Sequence, residues 1–206
     1  MNILAIESAS TVCGTALFLN SKLVELDEIT QPRIHGERLP VIVSNILSNH
    51  SVEVADLTGI AVSAGPGSYT GLRIGMSLAK GLAAATGIPI ISVPTLEVMN
   101  AGIARQGLYW VLLHSHKSVV FAQRFCSGKP DSEIKCELFS SEKYLQRFGF
   151  NLDTVCDFSE YESTPPSAKF VGELALQFYD IWVESDLNQI TPNYVTNFNL
   201  GKTPIN

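Results

Sequence analysis

Ala64-Gly65-Pro66-Gly67-Ser68-Tyr69-Thr70-Gly71-Leu72-Arg73-Ile74-Gly75 is the stretch of this chain best suited to chemistry. Three glycines and a proline within the seven residues from Gly65 to Gly71 make a tight turn. It joins an apolar strand, Gly59 to Ser63, to a helix with a hydroxyl at its start. Backbone N–H groups gathered at a helix N-terminus favour an anion, because orphan donors and the helix dipole act together. Gly65, Gly67 and Ser68 are therefore candidate anion or nucleotide contacts. Ser8 is a further hydroxyl, and Arg73, one turn into the helix, is a charged contact for an anion or a partner's carboxylate. No lysine follows the turn, which excludes a P-loop, whose lysine reaches the outer phosphates.

The other reactive side chains are sparse. Glu7 ends the first strand, as a functional carboxylate or in a solvated strand-end or hydrogen-bonding role. His35 stands before a helix beside Glu37, and His114 and His116 alternate onto one face of a strand. Neither group has the carboxylates or cysteines that would complete a metal set. Cys13, Cys126, Cys136 and Cys156 lack C-x-x-C spacing and read as buried, reduced thiols. The reading assigns no catalytic residue and no metal ligand.

The elements that must position these residues follow from periodicity. Asn2 to Glu7, Cys13 to Leu19 and Leu23 to Ile29 predict an antiparallel meander. Leu39, Ile42, Val43, Ile46 and Leu47 recur at helical spacing over His35 to Asn49, with Pro40 tolerable only near the start. Gly59 to Ser63, a helix over Thr70 to Ala85, Ile88 to Val93 and a helix opened by Pro94 through Ala104 complete β-β-β-α-β-α-β-α. Strands resume at Leu108 to His114, Ser118 to Cys126 and Ile134 to Phe139. A helix from Ser140 or Ser141 through Phe148 and a strand over Leu152 to Asp157 come next. Ser167 to Glu184 predicts one amphipathic helix with Phe170, Leu174, Phe178 and Trp182 as its stripe. The expected division is 1–105 and a smaller, divergent 106–206 with an irregular tail.

At 206 residues and 46% apolar composition the chain can bury a real core. No apolar run approaches the roughly 20 residues of a membrane helix, and no signal segment is visible, so a cytoplasmic location is expected. Net charge is −6, and no two of the 14 basic residues are adjacent. A chain so charged is not expected to grip nucleic acid alone.

Asn2-Ile3-Leu4-Ala5-Ile6-Glu7-Ser8, the glycine-rich word, and Val93-Pro94-Thr95-Leu96 resemble the bacterial TsaB (YeaZ) family over roughly residues 1–104. The resemblance implies an α/β fold of two actin-like domains, of the superfamily that holds sugar kinases, Hsp70 and RNase H-like proteins. It also implies a non-catalytic role beside TsaD, whose complex makes threonylcarbamoyladenosine in tRNA with the help of the P-loop ATPase TsaE. Members of the superfamily usually place an Asp where Glu7 stands. TsaD reads Val-Asn-His-Leu-Glu-Ala-His where this chain reads Val93-Pro94-Thr95-Leu96-Glu97-Val98-Met99. The two metal-holding histidines thus become Thr95 and Met99, poor ligands for a hard divalent ion. Family members usually carry an Asp-Ala-Arg type word where this chain has His114-Ser115-His116-Lys117. Bulky residues at Thr154 to Phe158 occupy the place of an adenosine-seating loop.

The helix from Thr70 is apolar on two sides, one stripe holding Leu72, Met76, Ala79 and Ala83, the other Ile74, Leu78, Leu82 and Ala85. A helix apolar on two sides needs a second neighbour. The expectation is that Leu39, Val43, Ile46, Leu72, Met76, Ala79 and Ala83 form the interface with TsaD, or with a second copy when TsaD is absent. No cofactor is expected beyond weak nucleotide binding at the partner seam, and tRNA is met only through the complex. A small-molecule kinase or a metallopeptidase of the same superfamily is the alternative; the first needs paired carboxylates, the second ligand histidines.

Overall fold

The computed structural model describes residues 1–116, 119–138 and 165–195. Ile3–Glu7 (β1), Val12–Leu19 (β2) and Lys22–Thr30 (β3) form the expected antiparallel meander. Asn20 and Ser21, both at positive φ, close β2 onto β3 through the two-residue turn that suits the twist of a hairpin. β1 is buried at all five positions, which is why it reads as a continuous apolar run rather than an alternating one. His35–Asn49 (α1), Gly59–Gly65 (β4), Tyr69–Thr86 (α2), Ile90–Pro94 (β5) and Thr95–Ala101 (α3) follow. β4 lies parallel to both β1 and β5, as right-handed crossovers through α1 and α2 require. The Ser68 hydroxyl caps α2 by accepting the Gly71 N–H at 3.2 Å, and Gly87, at φ 77°, ends it. Pro94 stands just before α3 and Pro40 in the second turn of α1, on its exposed side.

A second sheet holds Leu108–His116 (β6), Val119–Cys126 (β7), Lys129–Pro130 (β8) and Lys135–Leu138 (β9), with β7 antiparallel to the other three. The helix expected to run to Phe148, the strand over Leu152 to Asp157 and the bulky Thr154 to Phe158 stretch fall outside the described residues.

The chain then returns to the first sheet. The single helix expected over Ser167 to Glu184 is instead Ala168–Gln177 (α4), a short turn Tyr179–Trp182 (α5) and the strand Val183–Glu184 (β10), which pairs antiparallel with β5. The break at Phe178 lets β10 complete the sheet order β10-β5-β4-β1-β2-β3. Ala168, Val171 and Ala175 are the buried face of α4, while the expected stripe residues Phe170 and Leu174 are only partly buried. Gly172 admits the Phe18 ring, which any β-carbon would overlap.

Two layers of helix thus clamp one sheet. α1 and α2 cover one face and α4 the other, where Ile3, Ala5, Phe18, Ala61, Ile91 and Val93 meet it. A third cluster joins Leu96 and Met99 to Tyr109, Val111, Leu113, Phe121 and Phe125 of the second sheet.

This packing corrects the partner-interface expectation. Leu39, Val43, Ile46, Leu72, Met76, Ala79 and Ala83 are all between 0 and 4% exposed. The sheet has taken that stripe, and the small residues at four-residue spacing bring α2 close to the sheet rather than to another helix. An arginine there would be a buried, unpaired charge costing roughly 3–5 kcal/mol, against a total stability of about 5–15 kcal/mol for an ordinary domain. Ala79→Arg is therefore expected to abolish cooperative thermal unfolding, followed by circular dichroism, rather than to give a folded monomer.

Candidate functional site

The ends of β1 and β4 meet the start of α2, and there the candidate residues gather. Glu7 is the last residue of β1, 0% exposed, and register places it opposite Gly14. The Ala9 N–H donates to its Oε1 at 2.7 Å, and the Ser63 hydroxyl donates to its Oε2. Complete burial pushes the Glu7 carboxyl up to about 7, outweighing those two bonds, which favour the charged form; the charge of Glu28 adds to the rise. Glu28 in turn accepts the Ala168 N–H at 2.6 Å, at the first turn of α4.

The glycine-rich turn packs directly on the β1–β2 connection. Gly65 takes φ 106°, a conformation that L side chains rarely adopt. A β-carbon on Gly67 would overlap the Ala9 carbonyl; on Gly71, the Ser8 carbonyl; on Gly75, the Ser8 hydroxyl. Ser8 Oγ is buried without a hydrogen-bond partner among the described residues, and faces Gly75. The N–H groups that an anion would need are partly engaged already. Gly65 donates to Thr95 Oγ1 at 3.1 Å, Ser68 to the Ala9 carbonyl at 2.7 Å, and Gly71 to its capping serine. From the other side Asn193 donates its N–H to the Ala64 carbonyl at 2.7 Å, and its own carbonyl crowds Gly65.

Glu7, Ser8, Gly65, Gly67 and Ser68 thus come together, whereas Arg73 does not join them. It is exposed, its guanidinium lies 5.1 Å over the Tyr69 ring, and its Nη1 donates to the Tyr69 hydroxyl at 2.9 Å. Tyr194 packs on Tyr69, ring centres 5.0 Å apart. Two recesses flank the start of α2. One of about 450 Å³ is lined by Ser10, Thr11, Arg33, His35, Ser68 and Thr70 among others. The second, about 460 Å³ and wide open, lies along α1 and α2 between Pro40, Tyr69, Arg73, Ser77 and Leu78.

Other candidates take structural roles. The His35 ring bonds to the Val12 carbonyl at 2.9 Å. Burial pushes the Cys13 thiol up to about 11, as expected of a buried core cysteine. Cys126 is instead exposed and Cys136 only half-buried, because the first ends β7 at a turn and the second lies in β9, at the edge of the second sheet. Thr95 and Met99 are 0 and 1% exposed. Burial also raises the Glu97 carboxyl. No cluster of three or more His, Cys, Asp or Glu able to hold a metal occurs among the described residues, and none of the described helices is long and apolar enough to cross a membrane.

Comparison with known proteins now bears on this geometry. The family model for TsaD, tRNA N6-adenosine threonylcarbamoyltransferase, matches residues 28–123. The tRNA threonylcarbamoyladenosine biosynthesis protein TsaB of Escherichia coli is 39% identical over 106 residues, 52% of this chain and 46% of that one. A YeaZ-like protein of Pseudomonas aeruginosa, described as similar to the peptidase YeaZ, superposes with a TM-score of 0.75 at 18% identity, covering 95% of this chain and 99% of that one. Over 48–62% of its length the chain is similar to three curated bacterial TsaB proteins, at 30–39% identity. Its fold is α/β and matches that of the two YeaZ-type structures of Pseudomonas aeruginosa. The chain spans about half the length of the curated TsaB relatives it matches, between 42 and 58% for three of them. A threonylcarbamoyltransferase of Paracoccus denitrificans is 48% identical over 61 residues, 30% of this chain and 17% of that enzyme.

Three residues of the site had no signal of their own in the sequence. Ser63 becomes legible once β1 and β4 are known to run parallel, since Ile6 pairs with Val62 and the next residues lie side by side. Asn193 and Tyr194 sit in irregular chain far from the turn they cover, and nothing local marks them.

The raised Glu7 carboxyl has a consequence for stability. Its folded value, about 7, lies above the ordinary 4.5, so its contribution is fully present below pH 4.5 and is lost as pH rises through 7. The pH-dependent part amounts to about 3 kcal/mol. Glu7→Gln is expected to remove it, so that urea denaturation at pH 5 and pH 8 separates the two proteins. Wild type should lose stability over that interval relative to the variant.

Proposed function

We propose that this chain is a non-catalytic subunit of the machinery that makes threonylcarbamoyladenosine in tRNA, and that it binds and supports the catalytic subunit TsaD. The observation that carries the reading is the fate of Thr95 and Met99. They stand where the motif of the catalytic relative places two histidines, yet Thr95 spends its hydroxyl holding the Gly65 N–H and Met99 packs in the cluster under the second sheet. Both side chains are consumed by packing, and a hydroxyl with a thioether is a weak ligand pair. A fold shared with an enzyme but stripped of its metal ligands suits a supporting subunit.

The partner surface in this reading is the outer side of α1 and α2, after the sheet has claimed the inner one. Val41 is 46% exposed, and Ile74 and Leu78 are partly buried beside Pro40 and Ser77. When TsaD is absent the same face joins two copies of this chain. TsaE and tRNA are met through the complex in the cytoplasm, and any nucleotide sits at the seam rather than in this chain alone.

Co-expression with TsaD of the same organism tests this. A stable heterodimer is expected, with threonylcarbamoyladenosine formed only when both proteins are present and neither metal, peptide cleavage nor ATP turnover in this chain alone. Tightly bound zinc or iron, or an ATPase abolished by Glu7→Ala, would overturn it. Ser77→Arg places a long charged side chain on an exposed position of the groove. It should weaken TsaD binding by at least about 2 kcal/mol, read by calorimetry, with melting temperature unchanged.

A further inference from the structure

The chain carries a net charge of −6, yet no Asp or Glu lines either recess beside the start of α2. The two recesses share Gly36, Thr70 and Ile74, so they form one continuous groove with Arg33 toward one end and Arg73 at the other. Neither arginine is in a salt bridge among the described residues. Arg73 is nevertheless not a loose side chain. The Tyr69 ring and hydroxyl hold its guanidinium, and Tyr194 backs Tyr69 from the segment that crosses the glycine turn. That segment is itself fixed by Asn193 on Ala64 and by Ile190, 3% exposed, in the main core.

An exposed arginine ordinarily loses much rotamer freedom on binding, which cancels the gain from a surface ion pair. Stacking on Tyr69 removes most of that cost beforehand, and a preset planar fork is the best receptor for a carboxylate. The α2 N-terminus points the same electrostatic way. Between the arginines the groove floor is carbon-rich, with Pro40, Ile74 and Leu78. A nucleic-acid backbone would gain nothing there and would feel the overall negative charge.

We propose that Arg73, preset by Tyr69 and Tyr194, anchors a carboxylate-bearing segment of the protein partner, with Arg33 attracting the same segment at the far end of the groove. This rests on the reading that TsaD docks on the outer face of α1 and α2, and it specifies the chemistry of the contact. Tyr194 acts as a positioning residue, brought from the end of the described chain to a surface built by its first half.

Surface plasmon resonance against TsaD of the same organism, at low and high salt, tests it with Arg73→Glu, Arg73→Lys, Tyr194→Ala and Ser77→Arg. Arg73→Glu is expected to weaken binding about 100-fold, chiefly by slowing association, and to flatten its salt dependence. Arg73→Lys should keep the association rate but speed dissociation about 10-fold, because the point charge is retained and the fork is lost. Tyr194→Ala should match Arg73→Lys. If Arg73→Glu binds within twofold of wild type at both salts while Ser77→Arg abolishes binding, the docking face stands and the anchor is wrong. Normal binding by both variants overturns the docking face as well. Should Arg73→Glu bind TsaD normally but abolish retention of tRNA in a gel-shift assay, the groove holds nucleic acid and the protein-segment assignment fails.

Discussion

Backbone meets backbone where α2 starts. Gly67, Gly71 and Gly75 have no β-carbon because Ala9 and Ser8 occupy that space, and this contact sets how low the helix lies over the sheet. α1 takes its place beside α2, so the groove between them inherits the same height. Glu7 is sealed by the same approach, since the Ala9 N–H that bonds it belongs to the connection under the helix. A methyl group at any of the three glycines would lift α2, open the carboxyl to water and move Arg73 at once.

The same contact explains how a turn with the look of a phosphate cradle can serve another purpose. A cradle works by leaving N–H groups pointed at empty space. Here Thr95 and the Ala9 carbonyl accept two of them from within, and a strap of later chain closes one side. Thr95 is thereby a lock on the turn beside it, its hydroxyl holding the Gly65 N–H from within.

Much of this architecture was legible in local pattern. Continuous apolar runs marked β1 and β4 because both faces of those strands are covered, and a hydroxyl at the helix start anticipated a cap that the structure gives to Ser68. What pattern could not assign was the neighbour. Gly71, Gly75, Ala79 and Ala83 recur at four-residue spacing, and the close approach that such small residues permit is made to the sheet and the β1–β2 connection. The period of a helix says that a stripe is covered and not by what; the face the sheet left partly exposed is the one holding Ile74 and Leu78. The break at Phe178 was invisible for a similar reason. Val183 and Glu184 are strand only because β5 offers an edge, and helical periodicity continues smoothly through them. Among the site residues, Glu7 and the glycines were found from type and position, while Tyr194 could be placed only by tertiary structure.

The return of the chain to its first sheet bears on how the molecule is born. Ile3, Ala5, Phe18 and Val93 stay uncovered on one face until α4 arrives, and the Glu28 carboxylate waits for an amide 140 residues downstream. A ribosome emitting the chain from its N-terminus has therefore displayed a greasy, half-covered sheet long before the piece that shields it exists. Closure of that face waits until α4, through Gln177, has been made, and the nascent first half depends on whatever protects exposed β-structure in the meantime.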